Sequence, residues 1–311
     1  MSYPGPALGL SPVESVIRLE GLTKSYGRHR GVVDLDLEVH PGEVFGYLGP
    51  NGAGKTTTIR VLLDLIRPTQ GRAVVLGGDP RADGTRLRRE VGYLSGDPAL
   101  YRKMTGRQLL TYLGHLRGMP ALGPAEELAE RLVLDLERPI GDLSRGNRQK
   151  VAVVQAFMHH PCLLILDEPT AGLDPLMQRE FYRMLAEAKA EGRTVFLSSH
   201  VLSEVERIAD RVGIVREGRL VVVEGLEELK AKALRRLEIH FAGPVPREEF
   251  ASLPGVRDVV VEDSVLTCTA VGSIDRLVKA AARYEVVNLV SHEADLEELF
   301  LRYYEGTGDA A

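Results

Sequence analysis

The sequence is poor in cysteine and lacks long apolar runs. Its two cysteines, Cys162 and Cys268, lie far apart in a chain of 311 residues. This usage is typical of a reducing compartment, and it predicts neither a disulfide framework nor a cysteine metal site. The longest apolar run near the centre, residues 162–166, is far shorter than the roughly 20 residues of a membrane helix. We therefore expect no transmembrane helix.

An excess of positive charge is also missing. The formal net charge is −5, whereas nucleic-acid binding favours a basic face. Residues 1–15 lack the basic region and apolar run of a secretory signal, and their Pro and Gly content predicts a flexible N-terminal arm. The composition, 44% hydrophobic and 27% charged, is ordinary for a globular protein. The chain exceeds the roughly 250–300 residues of a single core, which favours two domains.

A glycine-rich stretch, residues 49–57 with the sequence GPNGAGKTT, fits the pattern G-x-x-x-x-G-K-[ST]. A short apolar segment predicted as a buried strand precedes it, and residues 58–66 repeat apolar side chains at helical spacing. In this context the N–H groups of the loop surround an anion at the helix N-terminus. Lys55 is expected to reach the β- and γ-phosphates and Thr56 to offer its hydroxyl to Mg²⁺. A plain turn, the alternative, does not require these two residues.

Two carboxylates follow the most apolar predicted strand. Asp167 and Glu168 directly follow residues 162–166, and parallel sheets bind ligands at the carboxyl ends of their strands. We interpret Asp167 as a ligand of Mg²⁺ and Glu168 as the group that acts on the attacking water. A surface charge pair is the alternative. His200 follows another predicted central strand, residues 194–199.

The N-terminal part and the middle of the chain have different patterns. Residues 16–38 predict two strands joined at residues 27–31, with Tyr26 at the end of the first. An aromatic ring there can stack on a base, and simple packing is the alternative. The segment from residue 100 to residue 136 predicts two inserted helices. Their apolar stripes are Leu109, Tyr112, Leu113 and Leu116, then Leu128, Leu132 and Leu136.

Ser144 and Gly146 precede a predicted helix that runs to residue 160. Serine at this position is often only a helix N-cap. The same helix start can also present its N–H groups to an anion that another molecule supplies. The sequence is compatible with both interpretations.

The pattern changes again after residue 226. Predicted strands at residues 237–241, 258–261, 265–269 and 285–290 alternate with predicted helices at residues 247–252, 274–283 and 294–304. This β-α-β-β-α-β order predicts a small split βαβ sandwich, a ferredoxin-like α+β domain. It contains no phosphate loop and no cluster of ligands. We therefore expect residues 227–311 to form a non-catalytic accessory domain.

Taken in order, the motifs resemble those of the ATP-binding subunit of an ABC transporter. GPNGAGKTT resembles its Walker A motif, and LLILDEP, with Asp167 and Glu168, its Walker B motif. AGLD at residues 171–174 resembles the D-loop, LSRGNRQ at residues 143–149 the signature, and Ser199-His200 the histidine switch. The resemblance covers about residues 16–224 and rests on the ordered set.

This resemblance implies a fold and a chemistry. The fold is a P-loop NTPase cassette of the α/β class at residues 16–226, with a mixed sheet core and a helical subdomain at about residues 98–160. The cofactors are ATP and Mg²⁺. Glu168 would polarise water and His200 would contact the γ-phosphate. The nucleotide-binding residues implied in the same chain are Tyr26, Asn51, Gly52, Ala53, Gly54, Lys55, Thr56 and Thr57.

The resemblance also implies a head-to-tail dimer, with a homodimer expected, in which Ser144 and Gly146 face the ATP of the partner chain. Two departures from the family pattern stand out. The signature has Arg145 and Asn147 where the commonest form has Gly and Gln. Gly96 replaces the glutamine of the Q-loop, and we hypothesise that a water or Asp97 substitutes for it.

The sequences of the motifs most resemble those of ATPases that serve exporter-type (ABC-2) permeases, including drug and antibiotic exporters. This implies a separately encoded permease and a place on the inner face of the cell membrane. The alternative is a soluble ABC-type ATPase that acts on ribosomes or DNA. Three features argue against this alternative. They are the net negative charge, the single set of motifs, and the interval between residues 71 and 143, which is too short for a coiled-coil insertion. An ATP-binding regulator that does not hydrolyse ATP would lack the catalytic base, yet Glu168 is present.

Overall fold

The computed structural model of the protein describes residues 14–27, 29–232 and 234–291. The chain divides into two compact units, one ending at Val223 and the other beginning at Glu224. Most of the predicted N-terminal arm and all of the helix predicted at residues 294–304 lie outside the described residues. Within the described ranges, no helix is both long enough and apolar enough to cross a membrane.

The first unit is a mixed α/β structure. Its strands are β1 (Ile17–Tyr26), β2 (His29–Val39), β3 (Val44–Leu48), β4 (Gln70–Val75), β5 (Val91–Leu94), β6 (Leu163–Asp167), β7 (Thr194–Ser199), β8 (Arg211–Arg216) and β9 (Arg219–Gly225), the last of which reaches the second unit. Its helices are α1 (Lys55–Leu62), α2 (Gly84–Glu90), α3 (Gly106–Arg117), α4 (Gly123–Arg131), α5 (Arg145–Phe157), α6 (Pro175–Ala190) and α7 (Leu202–Val205). A 3₁₀ turn at Ile140–Asp142 precedes α5.

A six-stranded sheet with the order β5-β6-β7-β3-β8-β9 positions the site. The pairs β5–β6, β6–β7, β7–β3 and β3–β8 are parallel. Every residue of β3, β6 and β7 is buried, as expected for central strands covered on both faces. Because the strands are parallel, Leu48, Asp167 and Ser199 end at the same edge of the sheet. The predicted apolar strands are confirmed there.

A second, antiparallel sheet with the order β2-β1-β4 shares its core with the first. Ile17, Leu19 and Leu22 of β1 are buried in one cluster with Phe45 and Phe196 of the six-stranded sheet. The two phenylalanine rings stack at a centroid distance of 5.9 Å. The predicted hairpin near the N-terminus is confirmed, with β1 and β2 paired from Ile17 to Tyr26.

The helical insertion between β5 and β6 carries α3 and α4. Thr105 begins α3 with a capping box to Gln108. The predicted stripes coincide only in part with the buried face. Leu109 is buried, whereas Tyr112 and Leu116 are 44% and 63% exposed.

The second apolar stripe is not a continuation of α4. That helix ends at Arg131, so Leu132 and Leu136 are buried from the segment that follows it. These two buried side chains hold a non-helical connection against the core, since residues outside a helix can also pack there. The prediction of a helix that extends to residue 136 is therefore wrong at its C-terminal end.

The second unit begins with α8 (Leu226–Lys232). It continues with β10 (Leu234–Phe241), α9 (Arg247–Ala251), β11 (Val256–Glu262), β12 (Val265–Val271), α10 (Asp275–Ala281) and β13 (Val286–Ser291). All neighbouring strands are antiparallel in the order β11-β12-β10-β13. This is the split βαβ arrangement. Alternate residues of β12, among them Leu266 and Cys268, pack in a core with Phe250 and Leu277 from the two helices.

Candidate nucleotide-binding site

The glycine-rich loop connects the end of β3 to the start of α1. Gly54 precedes α1 with φ of 110° and no side-chain cap. A Cβ on Gly54 would lie 2.7 Å from Gly31 O and from Val32 Cγ1, and a Cβ on Gly49 would lie 2.4 Å from Val215 O. Both positions therefore need glycine. Because no side chain caps α1, its first N–H groups are available to an anion.

Lys55 is folded into this loop. Its side chain is only 5% exposed, and its Nζ donates to Gly49 O at 2.7 Å and to Pro50 O at 3.2 Å. Nζ also lies 3.5 Å from Glu168 Oε1. Burial lowers the pKa of Lys55, and the nearby carboxylates of Glu168 and Asp167 act in the opposite direction. Neutral carbonyls are weaker partners than phosphate, so the ammonium group is held ready for an anion.

Asp167 is fixed by two hydroxyl groups at the end of β6. Thr56 Oγ1 donates to its Oδ2 at 2.9 Å, and Ser198 Oγ donates to its Oδ1 at 2.5 Å. The carboxylate is 4% exposed. Hydroxyl and carboxylate oxygens are the ligand types that Mg²⁺ prefers, with phosphate oxygens and waters completing its octahedral shell. The donor atoms of Thr56 and Asp167 thus fit a magnesium ion beside the loop.

Glu168 has an unusual backbone and a polar partner. Its φ is 46°, in the left-handed region that non-glycine residues avoid. Its backbone N–H donates to Ser198 O at 3.1 Å and to Ser198 Oγ at 3.2 Å. Its Oε1 lies 3.2 Å from His200 Nδ1. The turn therefore directs the carboxylate into the space shared by Lys55 and His200.

Tyr26 precedes the glycine-rich loop in the sequence, whereas Asp167 follows it. In the structure, Tyr26 lies close to the start of α1. Its ring is 45% exposed. A Cβ on Gly31 would lie 2.9 Å from Tyr26 Cε2 and 3.1 Å from Thr57 Cγ2, so the glycine lets ring and threonine approach each other. Lys24 Nζ lies 5.2 Å from the ring centroid. The geometry is compatible with an aromatic platform next to the loop.

Ser144 and Gly146 form the start of α5. The hydroxyl of Ser144 accepts a hydrogen bond from Asn147 N at 3.2 Å, so its N-cap role is present in the structure. The residue is exposed. A Cβ on Gly146 would lie 2.6 Å from Gly172 O. The first turn of α5 therefore packs on the loop that leads to α6, where Asp174 is the N-cap.

The Q-loop position brings Gly96 next to the end of β6. A Cβ there would lie 3.2 Å from Asp167 O and 3.7 Å from Glu168 Cβ. Asp97 is exposed, and its carbonyl accepts from Ser95 Oγ at 3.3 Å. The substitution of a water or Asp97 for the missing glutamine stays a prediction.

Sequence reasoning missed three residues that hold the site together. Ser198 bonds Asp167 and the N–H of Glu168, as described above. Gln149 of α5 donates from its side chain to Pro169 O at 3.1 Å. Glu204 of α7 accepts from Thr170 Oγ1 at 2.6 Å. For Ser198 the sequence signal was the pair of serines that ends the predicted strand at residues 194–199.

Comparisons with known proteins identify the family. The model of the ABC transporter family matches residues 32–171. A bacitracin transport ATP-binding protein of Enterococcus faecalis is 35% identical over 96% of this chain and 99% of that protein. A fluoroquinolones export ATP-binding protein of Mycobacterium tuberculosis is 32% identical over 92% of each.

A solved structure of an ATP-binding subunit of an ABC transporter covers 70% of this chain and 92% of its own, with 30% identity and a TM-score of 0.65. These relatives favour a transporter subunit over an ATPase of ribosomes or DNA. The fold is that of the ABC cassette, as the sequence predicted. The chain belongs to the ATP-binding proteins of ABC transporters, which are ATPases.

Proposed function

We propose that the chain binds and hydrolyses ATP with Mg²⁺ in order to drive a separately encoded exporter permease. The observation that carries this proposal is the meeting of Lys55, Thr56, Asp167, Glu168 and His200 at one edge of the parallel sheet. A structural ion pair would not require a glycine loop and an uncapped helix start at the same place.

The roles of the residues follow from their chemistry. The backbone from Asn51 to Thr57, including Gly52, Ala53 and Gly54, surrounds the phosphates, and Lys55 exchanges its carbonyl partners for them. Thr56 and Asp167 hold Mg²⁺, which neutralises charge on the phosphate oxygens when it is bound. Tyr26 offers its exposed ring to the adenine.

Glu168 and His200 act on the attacking water. The Glu168 carboxylate orients this water and takes up its proton as the water oxygen bonds to the γ-phosphorus and the bond from that phosphorus to the leaving ADP oxygen breaks. His200, in contact with Glu168 at 3.2 Å, holds that carboxylate and donates to the γ-phosphate. The left-handed backbone of Glu168 is the kind of local strain that occurs at catalytic positions.

A second copy of the chain completes the site. Ser144 and Gly146 at the start of α5 contact the ATP of the partner in a head-to-tail homodimer. Support comes from the exposure of Ser144 and the absence of an acidic residue in the first turn of α5. The helix N-terminus thus keeps a partial positive charge for an anion from outside.

The permease partner places the protein at the cytoplasmic face of the cell membrane. Bacitracin and fluoroquinolones appear in the names of the relatives, which supports an antibiotic or a drug-like compound as cargo. We assign residues 16–226 to the ATPase and residues 227–311 to an accessory domain. All residues named for the proposed site lie within residues 16–226.

The test combines the ATPase with its membrane partner. The chain is purified alone and together with the permease from the adjacent reading frame, and Mg²⁺-dependent ATP turnover is measured in both preparations. We expect stable co-purification and a change in turnover when the cargo is added. Binding to ribosomes or DNA that weakens with salt, without permease association, would contradict the proposal.

A further inference from the structure

Glu204 of α7 joins the two loops that carry the proposed water-activating groups. Thr170 Oγ1 donates to Glu204 Oε1 at 2.6 Å, and Ser199 Oγ donates to Glu204 Oε2 at 2.9 Å. Thr170 and Ser199 are 5% and 1% exposed, whereas Glu204 is half-buried, so both hydrogen bonds are partly shielded from water. Hydrogen bonds to a carboxylate are charge-assisted and stronger than those between neutral groups.

The two hydroxyl groups belong to residues that lie close in sequence to Glu168 and His200. Thr170 lies two residues after Glu168, and Ser199 directly precedes His200. The strands that deliver these loops, β6 and β7, are parallel neighbours. One carboxylate therefore links the turn of Glu168 to the turn of His200, whose side chains approach to 3.2 Å.

The backbone of Glu168 needs such support. A left-handed conformation costs of order 1–3 kcal/mol and persists only where its surroundings hold it. On the N-terminal side, Thr56 and Ser198 hold Asp167. On the C-terminal side, the chain is held at Pro169 O by Gln149 and at Thr170 by Glu204.

We propose that Glu204 is a positioning residue for ATP hydrolysis: it fixes the Glu168 carboxylate and the His200 imidazole relative to each other through Thr170 and Ser199. Glu204 acts through these two loops, and the inference rests on the roles of Glu168 and His200 in the proposed function. A shift of about 1 Å in a reacting group is enough to slow turnover strongly.

The bonding pattern makes a specific prediction for the amide. In Glu204→Gln, the side-chain oxygen accepts from Thr170 and the NH₂ group donates to Ser199 Oγ. The Ser199 proton then turns to Val201 O, which is already 3.2 Å away. Both links survive without a charge, whereas Glu204→Ala removes both.

The experiment measures kcat of ATP turnover and the affinity for a fluorescent ATP analogue separately. Glu204→Ala should lower kcat roughly 10- to 100-fold, with the affinity changed by no more than about twofold because the phosphate loop is untouched. Glu204→Gln should keep most of the activity. Ser203→Ala, an exposed neighbour on the same helix, is the matched control and should behave like the parent.

A double-mutant cycle tests the route of the effect. Thr170→Val removes one hydroxyl and keeps the shape, and it replaces Glu204→Ala if that variant does not fold. The combined Thr170→Val and Glu204→Ala changes should lower kcat by less than the product of the single effects, since they break the same link. Multiplication of the two single effects would overturn the inference.

Glu168→Gln and His200→Ala are measured in parallel, so that the proposed function and the role of Glu204 are tested separately. If these variants keep the parent rate, the proposed function fails. If they are slow while Glu204→Ala stays within about twofold of the parent, only the role of Glu204 fails. Equal activity of the Gln and Ala variants, or a parallel loss of nucleotide affinity, would also overturn that role.

Discussion

Gly146 and Gly172 pack backbone against backbone. A Cβ on Gly146 would lie 2.6 Å from the carbonyl oxygen of Gly172, and the stem of Arg145 lies along Gly172, with Cγ 3.6 Å from an ideal Cβ there. Gly172 itself has φ of 82°. The signature-like start of α5 and the D-loop-like turn before α6 are therefore in close contact, with no room for a side chain between them.

The first prediction concerns this contact. Gly146→Ala should displace either α5 or the Gly172 loop, because the new Cβ and the carbonyl oxygen of Gly172 are both fixed to the backbone and cannot rotate apart. We expect a destabilisation of about 1–3 kcal/mol and a loss of ATP-dependent dimer, measured by thermal unfolding and size-exclusion chromatography. Gly123→Ala is the control, since a Cβ at Gly123 meets nothing within 4 Å. Normal dimerisation of Gly146→Ala would show that the contact is unimportant.

The second prediction separates binding from hydrolysis. Lys55→Ala should lower turnover by at least about 100-fold, because preorganised charge on phosphates contributes several kcal/mol. Glu168→Gln should bind ATP normally and accumulate as a nucleotide-bound dimer. Turnover and bound nucleotide per chain are the two measurements. A Glu168→Gln variant that hydrolyses ATP at the parent rate would remove this residue from the chemistry.

The third prediction addresses Ser198. Ser198→Ala removes the hydroxyl that donates to Asp167 Oδ1 and accepts from Glu168 N. A buried carboxylate that loses a donor costs about 1–3 kcal/mol. We expect a lower unfolding midpoint in urea and a higher Mg²⁺ concentration for half-maximal turnover. An unchanged Mg²⁺ dependence would mean that Thr56 alone orients Asp167.

The fourth prediction follows from a buried histidine. Burial, together with the positive charge of Arg117, lowers the pKa of His159 from its usual value of 6.5 to about 3. Its ring bonds Val91 O through Nε2 at 3.2 Å. Between these two pKa values the unfolded chain binds the extra proton, so stability is complete above pH 6.5 and falls as the pH is lowered toward 3.

The measurement compares the free energy of unfolding of the parent and His159→Gln across this pH range. The parent should lose up to about 1.4 kcal/mol more per pH unit than the variant. Glutamine can still donate to Val91 O but does not titrate, which makes it the matched control. Parallel pH profiles would show that His159 accepts its proton inside the folded protein.

The sequence predicted those features that depend on local pattern. The central strands β3, β6 and β7 are mostly apolar because they are buried on both faces. The loop before Lys55 was visible because a phosphate cradle requires glycines at fixed spacing. The positions of Asp167 and His200 followed from the rule that parallel strands end at the same edge.

The remaining features depend on contacts between distant segments. The order of the six-stranded sheet is not the order in sequence, and no local pattern encodes it. Glu204 lies on the four-residue helix α7, which is too short for a periodic signal, and its partner Thr170 is distant in sequence. The exposure of Tyr112 and Leu116 escaped prediction because a helical stripe does not reveal whether a neighbour covers it.

The most direct test of the account asks whether Ser144 of one chain meets the phosphate loop of another. In a background without Cys162 and Cys268, chains with Ser144→Cys and differently tagged chains with Asn51→Cys are mixed, both carrying Glu168→Gln. The account predicts an inter-chain disulfide between the two tags that forms with ATP and Mg²⁺ and is absent without nucleotide. Failure to form this disulfide, while ATP is bound and both chains are folded, would contradict a site built by two copies.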